Sequence, residues 1–351
     1  MNFTYWVTED CNLKCKYCYV SKAPKTMSRE TATKAIDFTK KKLAANPLDH
    51  KDKIGIALHG GEPLLNYPII RYLVEELKRK IHGDISFTMT TNGTIYNQEM
   101  LDYVSENIQL TVSLDGKQES NDINRVYRNG KGSFNRVIET LDYINHQSHF
   151  FRVRMTVTPN NVSYFTDNYI FLFEKGYPIV SFALDESDPN WNKELMKVYQ
   201  KNLNEIFSYM VNKDITKAQY FLYNFKNAYF RPRGTCDGCH TSFHISSAGN
   251  IYPCIFAVGR EEFSMGDVFS DIIEQRLSNL DVINQKDQGA CTKCAMYNNC
   301  RGKMCKIINK IQTGNYYESS PVFCATQRIH YSIVKEYEYI LKNFKLLLST
   351  H

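Results

Sequence analysis

The sequence lacks the features that would carry a chain across or into a membrane. Its first ten residues, MNFTYWVTED, hold no basic segment leading into an apolar stretch, so no secretory signal is expected. No window approaches the roughly 18 uninterrupted apolar residues of a membrane-crossing helix. An excess of one charge is missing too: 43 Lys and Arg against 37 Asp and Glu leave +6 over 351 residues. The basic residues are scattered apart from short runs such as Lys40 to Lys42 and Lys78 to Lys80, which read as solvated helix faces, so nucleic acid is not an expected partner. There is no internal repeat and no low-complexity tract. The expectation is a cytoplasmic protein with no membrane partner, in a compartment that keeps thiols reduced.

What the chain does have is eleven cysteines. In a reducing compartment they call for metal or cluster ligation rather than disulfides. They fall into three groups: Cys11, Cys15 and Cys18; Cys236, Cys239 and Cys254; and Cys291, Cys294, Cys300, Cys305 and Cys324. A structural zinc site usually closes a set of four ligands built from two paired motifs. The first group has only three cysteines and no partner for more than two hundred residues. Three thiolates on a four-iron cluster leave one iron open to bind a small molecule, which is a catalytic arrangement. The other eight divide into two sets of four, as two fully ligated clusters require; two zinc ribbons satisfy the same count.

Apolar and polar residues place these groups on a scaffold. Strand-like runs at 3–7, 53–58, 85–90, 108–113, 151–157 and 179–184 alternate with amphipathic helical segments, which reads as repeated β–α units around a parallel sheet. Three strands carry one apolar face (Phe87 and Met89; Ile108, Leu110 and Val112; Phe151, Val153, Met155 and Val157) and one polar face. A sheet covered by helices on both sides would be apolar throughout. A curved sheet with helices outside and a wet, ligand-holding concave face fits better, and an antiparallel sheet with one solvated face is the alternative. After residue 190 come helices at about 193–212 and 217–228, whose Tyr and Phe read as core. The Gly- and Cys-rich region from 233 to 325 cannot build a large core alone, so metal centres are expected to hold it together. Residues 326–348 read as one amphipathic helix.

Several short motifs carry a family resemblance. Cys11-x3-Cys15-x2-Cys18 after the first strand, with Tyr17 before the third cysteine, is followed by "GGEP" at Gly60 to Pro63, "TNG" at Thr91 to Gly93 and "SLDG" at Ser113 to Gly116. In that order they resemble the radical S-adenosylmethionine (SAM) enzymes. The later cysteines, with Gly249 before Cys254, resemble the SPASM extension of peptide-modifying members. Four residues rather than three separate Cys300 from Cys305.

The resemblance implies an α/β fold: a partial (β/α)6 TIM-like barrel over 1–190, a helical bridge over 191–232, a SPASM domain over 233–327 and a C-terminal helix over 328–351. It implies three [4Fe-4S] clusters. The first, on Cys11, Cys15 and Cys18, would chelate SAM through its open iron, and one electron would then release a 5'-deoxyadenosyl radical. One auxiliary cluster would take Cys236, Cys239, Cys254 and Cys305, the other Cys291, Cys294, Cys300 and Cys324. If Cys239 is not a ligand, the first auxiliary cluster keeps an open iron.

Around SAM the resemblance places Tyr17, Gly60, Gly61, Glu62, Pro63, Asn92, Ser113 and Arg125. The glycines allow close backbone approach, Glu62 suits the ammonium, and Ser113 lies near the carboxylate. Arg125 is a carboxylate ligand by family position. Arg154, on the polar face, is an alternative to it, and an arginine paired with a barrel carboxylate is the bland reading.

The implied activity is maturation of a ribosomal precursor peptide, with a thioether crosslink favoured. The implied partners are that peptide and a flavodoxin or ferredoxin electron donor; with Cys11 near the start and no leader-binding module ahead of it, either the barrel mouth or the cluster domain holds the leader or a separate leader-binding protein recruits it. A strand-like edge in "SFHISS" offers a place for strand addition by the peptide. An anaerobic sulfatase-maturing enzyme making formylglycine is the runner-up. Such enzymes place a catalytic Asp after the Cys of "YPC", where this chain has Ile255; Asp237 or Asp267 would have to replace it. A zinc-binding adaptor is the non-enzymatic alternative.

Overall fold

The computed structural model describes residues 1–46, 53–147 and 149–341. The strands of its main sheet are β1 (Asn2–Thr8), β2 (Ile54–Gly60), β3 (Ile85–Thr91), β4 (Gln109–Ser113), β5 (Phe151–Val157), β6 (Ile179–Leu184), β7 (Ser242–Ile245) and β8 (Ile251–Tyr252). Helices α1 (Arg29–Ala45), α2 (Tyr67–Lys80), α3 (Gln98–Asn107), α4 (Gln118–Asn124), α5 (Phe134–His146) and α6 (Phe165–Glu174) lie between the first six strands. Beyond β6 come α7 (Lys193–Lys213), α8 (Ile215–Phe230), α9 (Glu274–Gln285), α10 (Arg301–Met304), α11 (Lys306–Thr313) and α12 (Pro321–Tyr337). The part of the expected C-terminal helix beyond residue 341 lies outside the described residues. No helix among the described residues is long and apolar enough to cross a membrane.

The chain packs into two compact units. Among the described residues the first holds 1–46, 53–147, 149–156, 172–183 and 237–280; the second holds 157–171, 184–236 and 281–341. The Cys-rich region expected as one domain thus contributes to both.

The sheet order is β6-β5-β4-β3-β2-β1-β7-β8. The pairs from β1 to β5 are parallel. Phe87, Met89, Leu110, Val112, Val153 and Met155 are buried, while Thr88, Thr90, Gln109, Arg152 and Arg154 on the other face are exposed, which is the alternation of a sheet with one wet side. Helices form where apolar spacing and caps agree. α2 buries Ile70, Leu73, Val74 and Leu77, and Ser28 caps α1 by accepting from Thr31 N at 3.0 Å.

Two strands beyond the six expected extend the sheet past β1. β7 pairs in parallel with β1 from Asn2↔Ser242 to Tyr5↔Ile245, and antiparallel with β8 at His244↔Tyr252 and Ile245↔Ile251. This corrects the reading of "SFHISS" as an open edge: the strand already has a neighbour on each side, so an incoming peptide finds no free ladder there.

In the second unit, α7, α8 and α12 meet through aromatic rings. Phe207 stacks on Tyr337 at 5.2 Å and Phe225 meets His330 at 4.7 Å. Tyr199, Leu203, Phe207 and Leu222 are fully buried, so these aromatics are core. His330 Nε2 meets the Tyr199 hydroxyl at 2.7 Å, and burial lowers its pKa to about 3.

The unfolded chain takes up this proton below about pH 6.5 and the folded chain does not. The stability His330 contributes is therefore complete above that pH and falls as pH drops, by about 1.4 kcal/mol per unit. Chemical denaturation of the holoenzyme at pH 7 and pH 5 should show wild type losing about 2 kcal/mol more than His330→Gln, which keeps a partner for Tyr199.

Candidate active site

The three-cysteine loop leaves β1 and is stitched to the segment after α4. Lys14 N donates to Val126 O at 2.7 Å, Lys16 N to Asn124 O at 3.1 Å, and Lys22 Nζ to Leu13 O at 2.7 Å. Cys18 N closes a turn on Cys15 O at 3.3 Å. Cys11 is buried, and its sulfur accepts Leu13 N–H at 3.4 Å and Asn92 Nδ2–H at 3.7 Å. Burial, partly offset by the Leu13 amide, raises its thiol pKa to about 11; burial also raises Cys15.

A buried thiolate needs a cation, and N–H donors aimed at the sulfur are what an iron-bound thiolate uses. The residues present therefore fit a cluster. Among the described residues no three His, Cys, Asp or Glu groups gather closely enough to hold one metal ion; a four-iron cluster spaces its thiolates more widely than one ion does.

The "GGEP" segment lies directly on this loop. Gly61 N donates to Thr8 O at 3.1 Å and Glu62 N to Asp10 O at 2.8 Å. A Cβ on Gly61 would sit 2.3 Å from Asp10 O and 3.0 Å from Cys11 Cβ, so only glycine allows this approach. Pro63 opens a short 3-10 turn, Pro63–Asn66.

Glu62 turns inward. Its carboxylate, 0 % exposed, accepts Leu64 N at 3.1 Å, Thr91 Oγ1 at 2.8 Å and Asn92 N at 2.6 Å. Burial raises its pKa to about 7, against the pull of these donors. Expected as a partner for the SAM ammonium, Glu62 joins the "GGEP" and "TNG" segments. Asn92 then reaches the cysteine loop through Asn12 Oδ1 at 2.8 Å as well as through the Cys11 sulfur.

The "SLDG" segment carries a buried ion pair. Asp115, 0 % exposed, lies 3.1 Å from Arg125 Nε and accepts Tyr17 Oη at 2.6 Å and Thr156 N at 2.8 Å. Arg125, 6 % exposed, sits over the Tyr17 ring at 5.2 Å, with the Cys15 sulfur among the groups acting on its charge. Arg125 is thus paired with a barrel carboxylate, the bland reading, yet stands beside the cysteine loop. Ser113 pairs in register with Arg154 across β4 and β5, and Ser113 is buried whereas Arg154 is exposed. Asp115 and Asn12 stand inside the "SLDG" and three-cysteine motifs, but nothing in their spacing marks them as site residues.

An aromatic step beside Cys18 is likewise unmarked by spacing. Tyr19 and Phe256, 47 % and 38 % exposed, lie 4.8 Å apart. The Tyr19 hydroxyl meets His59 Nε2 at 3.2 Å. Burial lowers the His59 pKa to about 4, and its Nδ1 accepts Gly60 N–H at 2.7 Å. The neutral ring therefore carries its proton on Nε2 and donates it to Tyr19, which leaves the phenolic proton of Tyr19 to point elsewhere.

The later cysteines stand in the two units. In the first, Cys239 is buried in a left-handed conformation (φ 64), its N–H donating to Ser242 O at 2.7 Å, and the neighbouring Gly238 packs on Pro253, just before Cys254. Asp237 takes the Thr241 hydroxyl, and Asp267 accepts Phe269 N and Ser270 N, both at 2.8 Å, so each carboxylate ties its own turn. In the second, Cys291, Cys294, Cys300 and Cys324 come within electrostatic range of one another; burial first and then mutual repulsion raise Cys324. Cys305 is raised by burial, against the pull of Arg301 and Arg233.

A partial barrel whose first strand runs into a three-cysteine loop is the architecture of an enzyme. Residues 6–172 match the family model described as the radical SAM superfamily, and the chain belongs to that superfamily. Membership implies SAM and a [4Fe-4S] cluster, and it sets aside the adaptor reading.

The chain is 30 % identical over 255 residues to an uncharacterized protein of Methanocaldococcus jannaschii, covering 71 % of this chain and 82 % of that one. It is 24 % identical to the cysteine-type anaerobic sulfatase-maturating enzyme of Clostridium novyi, covering 84 % of each. It is 25 % identical to the antilisterial bacteriocin subtilosin biosynthesis protein AlbA of Bacillus subtilis, covering 78 % of this chain and 58 % of AlbA. Among solved structures, native anSMEcpe with bound AdoMet and Cp18Cys peptide shares the fold, with a TM-score of 0.76 at 21 % identity over 99 % of this chain and 98 % of that one.

Proposed function

We propose that this chain is a radical SAM peptide maturase that installs a crosslink, a thioether in the favoured case, in a ribosomal precursor peptide. The observation that carries this reading is the three-cysteine loop pinned against "GGEP" and "TNG", with N–H donors on the Cys11 sulfur. The relatives named for peptide and protein modification support it. When bound, the cluster and SAM supply a one-electron cleavage whose product takes a hydrogen atom from the substrate.

The chain's own residues orient and shield. Cys11, Cys15 and Cys18 hold the cluster. The backbone of Gly60, Gly61 and Pro63 would hold the methionine end of SAM, and Glu62 and Asn92 fix that backbone to the loop. Ser113 would lie near the SAM carboxylate, with either Arg125, already paired with Asp115, or Arg154 on the polar face as its cationic partner. Tyr17 and Leu13 keep water from the sulfurs. Tyr19, with its phenolic proton free of His59, and the Phe256 ring offer a polar and an apolar contact to a peptide.

Two auxiliary [4Fe-4S] clusters complete the reading, one on Cys236, Cys239, Cys254 and Cys305, the other on Cys291, Cys294, Cys300 and Cys324. A flavodoxin or ferredoxin would supply electrons, and the leader would be held by the barrel mouth, by the cluster domain or by a separate leader-binding protein.

Formylglycine formation stays second. Ile255 cannot take a proton, and Asp237 and Asp267 are engaged in their own turns. Co-expression with a small Cys-containing peptide encoded beside this chain, followed by mass spectrometry, tests the proposal. The expected product has lost two hydrogens and resists thiol alkylation. Exchange of the thiol for an aldehyde would favour the maturase of sulfatases, and an unchanged peptide alongside 5'-deoxyadenosine would count against peptide crosslinking.

A further inference from the structure

Arg233 stands outside the three-cysteine site, yet it is only 9 % exposed. Its backbone N–H donates to Asn298 O at 2.8 Å, and its Nη2 reaches Ala228 O near the end of α8. Asn299 Nδ2 adds a bond to Phe230 O at 2.5 Å. These contacts clamp residues 228–233 to 298–299, immediately before Cys300.

One donor is left over. The Nε–H of Arg233 is buried and meets no acceptor among the described residues. A buried donor without a partner is costly, so an acceptor is needed at that point. The charged groups acting on Arg233, besides its own burial, are Arg231, Arg301, Cys305 and Cys300, and only the two sulfurs can accept. Backbone N–H groups of Gly302 and Lys303 already serve the Cys300 sulfur. The Cys305 sulfur takes a side-chain hydrogen bond from Arg301 and feels the charge of Arg233, with no backbone N–H among the groups acting on it.

We infer that Arg233 tunes the cluster ligated by Cys305: its Nε–H donates a hydrogen bond to a sulfur of that cluster, and its charge, beside Arg301, stabilises the reduced state. Donors and cations near the sulfurs raise a cluster's reduction potential because the reduced form carries one more negative charge. This rests on the auxiliary-cluster reading above. A residue that only capped α8 through Ala228 O would leave the potential where it is.

The test is a redox titration of the anaerobically reconstituted holoenzyme, followed by electron paramagnetic resonance, with iron and sulfide counted first. Arg233→Gln should keep full iron content and lower the midpoint of one auxiliary cluster by about 59 mV, a tenfold change in its oxidised-to-reduced ratio. Arg233→Lys keeps a cation without Nε–H and should fall between the two.

Full iron with an unchanged midpoint in Arg233→Gln would overturn the inference while leaving the clusters in place. If Arg233→Gln loses a cluster, Arg233→Lys decides: a midpoint below wild type supports the hydrogen bond, and a wild-type midpoint overturns it. Iron in the wild type for fewer than three clusters, with Cys305 open to alkylation, would overturn the cluster reading and the inference together.

Discussion

Asp115→Asn should lower the unfolding temperature of the holoenzyme by on the order of 10 °C and weaken SAM binding. The carboxylate is fully buried and faces three groups at once: Arg125 Nε at 3.1 Å, the Tyr17 hydroxyl at 2.6 Å and Thr156 N–H at 2.8 Å. Removing its charge strands the buried guanidinium of Arg125, and breaking one side of such a pair costs about 3 to 5 kcal/mol. The amide also brings an N–H₂ where donors already converge, so at least one of them loses its acceptor.

Tyr17 stands immediately before Cys18, and through it the damage passes to the cysteine loop. Arg125→Gln added to Asp115→Asn should recover part of the loss, because no unpaired charge then remains. Calorimetry on wild type, the two single variants and the double variant reads this directly. Strictly additive losses would mean that the pair is not coupled and that Asp115 supports the fold in another way.

How far the site could be read from sequence depended on what each motif encodes. The alternation in β3, β4 and β5 is local, so those strands and their wet face are legible. β7 is a four-residue strand whose partner, β1, lies more than two hundred positions away. Nothing local in "SFHI" distinguishes an edge from an inserted strand. Arg125 and Arg154 are both basic residues near the polar face, and only burial separates them: one is enclosed with Asp115 and the other is exposed.

Glu62 and His59 show the same limit. Each stands in or beside "GGEP", but which donors a side chain meets is set by segments from other strands, the "TNG" backbone for Glu62 and the loop after Cys18 for His59. Arg233 carries no motif at all. Its significance arises from a fold that leaves one buried N–H without an acceptor.

The second large effect concerns the three cysteines themselves. Cys11, Cys15 and Cys18 share one loop, stitched by Lys14 and Lys16 to the end of α4 and the residues after it and closed on itself by Lys22, all through backbone acceptors, so the loop should survive loss of the sulfurs. Replacing one buried and two half-buried thiols with Ala removes little volume, and thermal stability should change only modestly. Cluster ligation should vanish, because the other eight cysteines stand elsewhere in the chain.

The most direct measurement is therefore made on Cys11→Ala/Cys15→Ala/Cys18→Ala beside wild type: iron and sulfide per chain, and 5'-deoxyadenosine released from SAM under a strong reductant. The expected result is a loss of one four-iron cluster's worth of iron, retention of the rest, and no 5'-deoxyadenosine. Release of 5'-deoxyadenosine at the wild-type rate by the triple variant would contradict the assignment of this loop as the SAM-cleaving centre.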